Sequence, residues 1–235
     1  MRLIQWNCFQ SFRTKHERIL KLQPDILVVC ECENEERLEF GKLTPKPNSF
    51  VWHGELPAKG LGVFSYSDHR LEIMNAFNPE FKFVVPIRVS NSKSSFILLA
   101  VWTQKEKNAP IHEYINAVWN AIHYYEELFS EPVILAGDLN SNVYWNKSGK
   151  VGNHSDVVDF LEAKNVHSLY HRWKGIPQGN EPDPTFFLYR HKDKPFHIDY
   201  CFASETLLTD GFNVQVGLHE NWCDLSDHVP LIIDL

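Results

Sequence analysis

Apolar and polar positions alternate along much of this chain in short runs that end at turn residues. Residues 2–8 predict a first strand and residues 25–31 a second. Between them Thr14 to Gln23 carries Ile19, Leu20 and Leu22, a short helix stopped by Pro24. Residues 50–56, 61–66, 71–76, 81–89 and 95–103 follow as strands, read as the meander of an antiparallel sheet. From about Ile111 to Phe129 the period changes: Ile115, Val118, Trp119, Ile122 and Tyr125 fall at helical spacing. That helix leads into Pro132 and the apolar run Val133 to Ala136, a buried strand that Gly137 lets turn sharply as it leaves the sheet. Ser155 is placed as the N-cap of a helix over 156–163, and strands over 196–203 and 229–235 close the chain. The order predicts two packed sheets with helices outside, in one domain spanning 1–235.

The apolar runs that read as central strands end in, or carry, oxygen-bearing side chains. The first yields Asn7, the second Glu31, and the strand after the long helix Asp138 and Asn140. Asp199 lies among apolar neighbours in a late strand, and Ser226-Asp227-His228 precedes the last one. If the backbone stays extended, Asp138 and Asn140 project to one side. Gly137-Asp138-Leu139-Asn140 alone is also ordinary turn chemistry. Several carboxylates on central strands are costly unless a cation, a histidine or a set of donors compensates them. Mg²⁺, which takes one or two carboxylates and keeps several waters, meets that need.

Composition narrows the classes. Hydrophobic residues at 43% and charged residues at 23% are globular values. A formal net charge of −7 argues against tight non-specific binding to long duplexes and favours short or single-stranded nucleic acid as a partner. Five cysteines without a CxxC pair point to a reducing cytoplasm, with Cys30 and Cys32 as small buried residues on one strand face. The N-terminal residues break into polar positions too early for a signal peptide, and no apolar run approaches a membrane span. No obligate protein partner is evident.

Taken in order, Trp6-Asn7, Glu31 after Pro24 to Val29, Gly137-Asp138-Leu139-Asn140, His197-Ile198-Asp199-Tyr200 and Ser226-Asp227-His228 resemble the endonuclease/exonuclease/phosphatase superfamily of metal-dependent phosphoesterases. Thr185-Phe186-Phe187 resembles that family's segment ahead of the Asp199 strand. The resemblance covers nearly the whole chain. It implies a four-layer α-β-β-α sandwich of two mostly antiparallel mixed sheets, and a hydrolase of phosphodiesters using Mg²⁺, with Mn²⁺ as substitute. Glu31 and Asn7 would hold the metal, with Asp227 as ligand or support. Asp138 would orient or deprotonate water, Asn140 would hold the phosphate, and Asp199 would fix and charge His228 against it. A nuclease acting on DNA or RNA is the first expectation. A phosphatase or phosphodiesterase of small or lipid-derived phosphoesters is the alternative, and a non-catalytic binding module the third.

Three positions depart from the family pattern. Trp102 stands at a strand end where relatives carry His or Tyr, so the leaving group's proton falls to metal-bound water or another residue such as His154. Phe9 stands where some nucleases have Asp. Cys32-Glu33-Asn34 follows the metal Glu where some relatives place a phosphate-binding Lys. Glu33, Glu35 and Glu36 are read as a solvated acidic loop, and Lys59 as an exposed turn lysine. Asn142, Tyr144, Trp145 and His154 form a polar-aromatic loop after Asp138. With Trp102 and Phe186 they are candidates for substrate contact, although buried aromatics pinning that loop is an equal reading.

Overall fold

In the computed structural model, residues 1–105, 114–208 and 211–235 are described. The strands are β1 (Arg2–Asn7), β2 (Ile26–Cys32), β3 (Ser49–Leu56), β4 (Lys59–Ser65), β5 (Arg70–Ile73), β6 (Val84–Ser90), β7 (Ser95–Trp102) and β8 (Val133–Asp138). After them come β9 (Val166–Ser168), β10 (Phe186–Phe187), β11 (Pro195–Phe196), β12 (Asp199–Ser204), β13 (Asn213–Val216) and β14 (Leu231–Asp234). Helices are α1 (His16–Leu20), α2 (Glu35–Leu38), α3 (Ile115–Tyr124), α4 (His154–Ala163), α5 (Leu169–Lys174) and α6 (His219–Trp222).

Two six-stranded sheets form, ordered β13-β14-β1-β2-β4-β3 and β5-β6-β7-β8-β12-β9. Each is antiparallel except for one parallel pair, β1 with β2 and β7 with β8. The sheets face each other across a core that includes Leu3, Val28, Val63, Leu98, Ala136 and Ile233. Outside the first sheet, Trp6, Phe12, Ile19, Leu27 and Trp222 pack together, and outside the second, Val118, Ile122, Leu135, Leu161 and Tyr200 do so. This is the expected α-β-β-α sandwich. The meander is not one sheet: β3 and β4 belong to the first and β5 to β7 to the second, so the chain changes sheets between Ser65 and Arg70. Alternation along one strand carries no information about which sheet the next one joins.

Local corrections have local causes. Glu31 sits at φ +61 where the β2–β4 register slips between Cys30 and Cys32. The bulge turns the strand by one residue, so Cys30 faces the inter-sheet core and Cys32 the outer layer, on opposite faces. Gly137 lies within β8, at φ +150, and a Cβ there would sit 1.8 Å from the Val101 carbonyl oxygen. Close approach to the neighbouring strand, more than a turn, requires glycine. The N-cap of α4 is Asn153, which forms a capping box with Asp156, two residues ahead of the predicted Ser155. Of the long predicted helix, 115–124 is α-helical and 126–130 is a 3-10 turn, while residues 111–113 lie outside the described residues.

Candidate active site

Leu3, Gln5 and Asn7 alternate on the inward face of β1, apolar first and polar toward the strand's end. In the second sheet β8 and β12 pair antiparallel with Asp138 opposite Asp199, so two carboxylates end neighbouring strands side by side. Both are fully buried. Isolated, such a pair would be severely destabilising, and the surrounding side chains show how it is compensated.

Asp199 accepts from Gln5 Nε2 at 2.7 Å, and its other oxygen lies 2.8 Å from His228 Nδ1. Thr185 Oγ1 accepts from the backbone N–H groups of Ile198 and Asp199, fixing the strand's start. Asp138 accepts from Asn7 Nδ2 at 3.0 Å, from Asn140 N at 2.8 Å and from Asn140 Nδ2 at 3.1 Å. His228 Nε2 lies 3.8 Å from Asp138, so the imidazole stands between the two acids. Ser226 Oγ donates to the Asn7 carbonyl and accepts from His228 N, tying the last loop to β1. The Phe186 ring centroid lies 4.7 Å from that of His228.

The electrostatics follow from this packing. Burial alone would favour neutral His228, but the charges of Asp199 and Asp138, with the Asp199 hydrogen bond, outweigh it and raise the ring to about 10. Burial, then repulsion by Asp199, pushes Asp138 up to about 7, against the pull of His228 and its donors. A protonated imidazole beside a carboxylate poised near neutrality is an arrangement able to move a proton and to hold an anion.

Asn140 departs from its expected geometry. It lies at φ +45, so the extended backbone ends and the side chain folds back. Its amide nitrogen donates to Asp138 and to the Thr103 carbonyl, which commits both hydrogens to bracing Asp138, leaving none for a phosphate. Asn142 is buried, with its amide nitrogen within hydrogen-bond distance of Glu181, the His197 carbonyl and Tyr200, and its oxygen accepting from Tyr144 N: it pins the loop. His154 is buried between Ser141 and Gln178, and burial lowers it to about 4, so at neutral pH the ring is neutral and not the imidazolium acid a leaving group would need. Tyr144 donates through its hydroxyl to the Gly179 carbonyl, with its ring turned to solvent. Trp145 is half exposed and packs against Phe196. With Asn140, Phe186, Phe196 and Lys147 it lines an open cleft of about 820 Å³ beside the acids.

Trp102 pairs in register with Asp138 and is nearly buried. Above it the structure places a group that the sequence reading put in solvent. Lys59 Nζ lies 5.1 Å from the Trp102 ring centroid and 3.4 Å from the Glu31 carboxylate. Glu33 is buried and bonded to Arg13, which removes it from the solvated acidic loop. Gln5 also went unread, although a polar residue on the inward face of an otherwise apolar strand was its signal. Phe9 is half exposed, between Lys15 and Arg190, and its N–H donates to Asn7 Oδ1.

Among the described residues, one side-chain cluster and the oxygen donors expected from the sequence bear on a cation. Asp138, Asp199 and His228 each place a ligand atom within 4.8 Å of the others. His228 Nδ1 and Asp199 are already bonded at 2.8 Å, so a metal held between them would displace that bond. Glu31, Asn7 and Asp227 offer oxygen donors alone, and Asp227 Oδ1 is buried with no hydrogen-bond partner. Asn7 pairs with Cys30, next to Glu31, and Ser226, next to Asp227, bonds the Asn7 carbonyl, and an orphaned carboxylate oxygen such as Asp227 Oδ1 fits a hard divalent ion.

The fold and this site together define a class of sandwich with a buried Asp–His–Asp cluster at the ends of its central strands. No protein-family model and no curated protein sequence matches the chain. Solved structures match along its whole length. The 3'-5' exonuclease (NExo) from Neisseria meningitidis is 17% identical, with 100% of this chain and 99% of that one covered and a TM-score of 0.67. An AP endonuclease from Archaeoglobus fulgidus is 16% identical, with 100% and 99% covered and a TM-score of 0.66. Truncated TDP2 from Caenorhabditis elegans is 12% identical, with 99% and 96% covered and a TM-score of 0.68. At these identities the likeness is one of fold: the chain has the endonuclease/exonuclease/phosphatase fold.

Proposed function

We propose that the chain is a metal-dependent phosphodiester hydrolase, acting as one domain over residues 1–235, and that its substrate is nucleic acid, short or single-stranded. The carrying observation is His228, held between Asp199 and Asp138 with its Nε2 edge toward the latter. Hydrolysis of a phosphodiester builds negative charge on the non-bridging oxygens as water attacks phosphorus. His228, protonated, donates from Nε2 to one of those oxygens, and Asp199 holds Nδ1 so that the ring keeps its charge and orientation. Asp138 accepts the proton of the attacking water, and Asn140 and Asn7 brace its carboxylate. Glu31 and Asp227, with Asn7, would hold the divalent ion, Mg²⁺ or Mn²⁺ as substitute, whose charge offsets that of the phosphate when bound.

Substrate class is supported by the aromatic cleft beside the acids, where Trp145, Phe186 and Phe196 offer faces on which bases stack. The names of the fold neighbours, an exonuclease and an AP endonuclease among them, lean the same way. The net charge of −7 favours a second reading, a hydrolase of small or lipid-derived phosphoesters. A panel of single-stranded DNA, duplex DNA, RNA, inositol phosphates and sphingomyelin, each with Mg²⁺ and with EDTA, separates them. Cleavage of single-stranded nucleic acid in Mg²⁺ and not in EDTA is expected. Turnover of the non-nucleic substrates alone would sink the nuclease reading.

A further inference from the structure

Lys59 and Trp102 line a second cavity, of about 350 Å³, which shares no described lining residue with the cleft beside the acids. Among the described residues Lys59, Lys82 and Lys105 line it, with His53, Trp102 and the carboxylate of Glu55. Glu55 pairs with Lys82 at 2.7 Å. In a chain with a net charge of −7, three ammonium groups around one hollow are a local reversal of sign. Lys59 is held there by two contacts at once, the Trp102 ring beneath it and the Glu31 carboxylate beside it.

Cys32 pairs with Gly60 across β2 and β4, so Lys59 enters from the neighbouring strand beside the bulge that carries Glu31. Trp102 pairs with Asp138, so the cavity wall and the hydrolytic centre share adjacent residues. We propose that this cavity is a second phosphate subsite, which holds the phosphate neighbouring the one cleaved, with Lys59 as its anchor. The inference rests on the phosphodiesterase reading and extends it: substrates carrying two phosphates one nucleoside apart are preferred over isolated esters.

Thymidine 3′,5′-bisphosphate and the two thymidine monophosphates are the probes, titrated calorimetrically in EDTA against wild type, Lys59→Met, Lys59→Arg and Lys105→Met. Wild type should bind the bisphosphate about tenfold more tightly than either monophosphate, the scale of one charge-assisted contact. Lys59→Met should erase that preference, Lys59→Arg restore most of it and Lys105→Met reduce it. Equal affinity of wild type for all three ligands overturns the subsite, as does a Lys59→Met variant that keeps the preference. Circular dichroism of each variant checks that it is folded. Hydrolysis of bis(p-nitrophenyl) phosphate by wild type, a diester with no second phosphate, is followed in parallel with Mg²⁺. Turnover there without a bisphosphate preference rejects the subsite and leaves the hydrolase reading standing. A preference without turnover does the reverse.

Discussion

At the scale of single residues, the site is a set of charges that depend on one another. His228 stays protonated to about 10 because Asp199 and Asp138 outweigh the burial that would discharge it. Replacing Asp199 by Asn removes the larger attraction, and the buried ring then titrates far lower. The rate profile of Asp199→Asn should therefore lose its alkaline limb by more than a unit, with at least about a hundredfold loss at pH 8. An unchanged profile would show that His228 does not act as a cation. Asn140 makes a second case. Because both amide hydrogens are committed to Asp138 and Thr103, Asn140→Asp places a third carboxylate against Asp138 and should cost more activity than Asn140→Ala. Similar losses in the two variants would return Asn140 to the phosphate. The types of these residues were legible in the sequence because a polar side chain at the end of an apolar run is conspicuous. Their connections were not. Gln5 and Lys59 look like surface residues until β1 and β4 place them against Asp199 and Glu31.

At the scale of elements, β8 and the loop over 175–184 carry the testable consequences. Gly137 has no room for a Cβ against β7, so Gly137→Ala should lose at least about 3 kcal/mol in urea unfolding, or fail to fold. A wild-type midpoint would refute the close approach. The 175–184 loop is held by Glu181, whose carboxylate meets His171 at 2.8 Å and accepts from Gly179 N. Burial would raise Glu181, but these donors outweigh it and hold it down at about 2. Its contribution is complete above the ordinary carboxylate range and is lost as pH falls toward 2. His154, lowered to about 4 by burial, acts over a higher window: the unfolded ring takes its proton first, so stability falls between about 6.5 and 4. Melting temperature should decline in two stages on acidification, and His154→Asn should remove the first, on the order of 3 kcal/mol. A decline identical in the variant would contradict this. The β strands were readable from alternation. The bulge at Glu31 and the change of sheet after β4 were not, since each depends on contacts between distant segments.

At the scale of the whole molecule, two sheets bring the ends of β1, β8 and β12 together, so that Asn7, Asp138 and Asp199 meet His228 from the last loop. The order of the motifs made that convergence legible before the fold was known; the balance of charge did not announce where cations gather. An acidic protein with few phosphate contacts should show shallow salt dependence. Raising salt from 50 to 200 mM should increase the KM for a short single strand less than about tenfold, as expected for two or so neutralised phosphates. Among the described residues no helix is long and apolar enough to cross a membrane. The central claim is that Asp138 and a divalent ion together hydrolyse a phosphodiester. Its most direct measurement is the initial rate on bis(p-nitrophenyl) phosphate, with Mg²⁺ and with EDTA, for wild type and Asp138→Ala. Turnover in Mg²⁺, its loss in EDTA and a fall of at least about a hundredfold in the variant are the expected results. Equal rates for the two proteins, or turnover that EDTA leaves untouched, would contradict it.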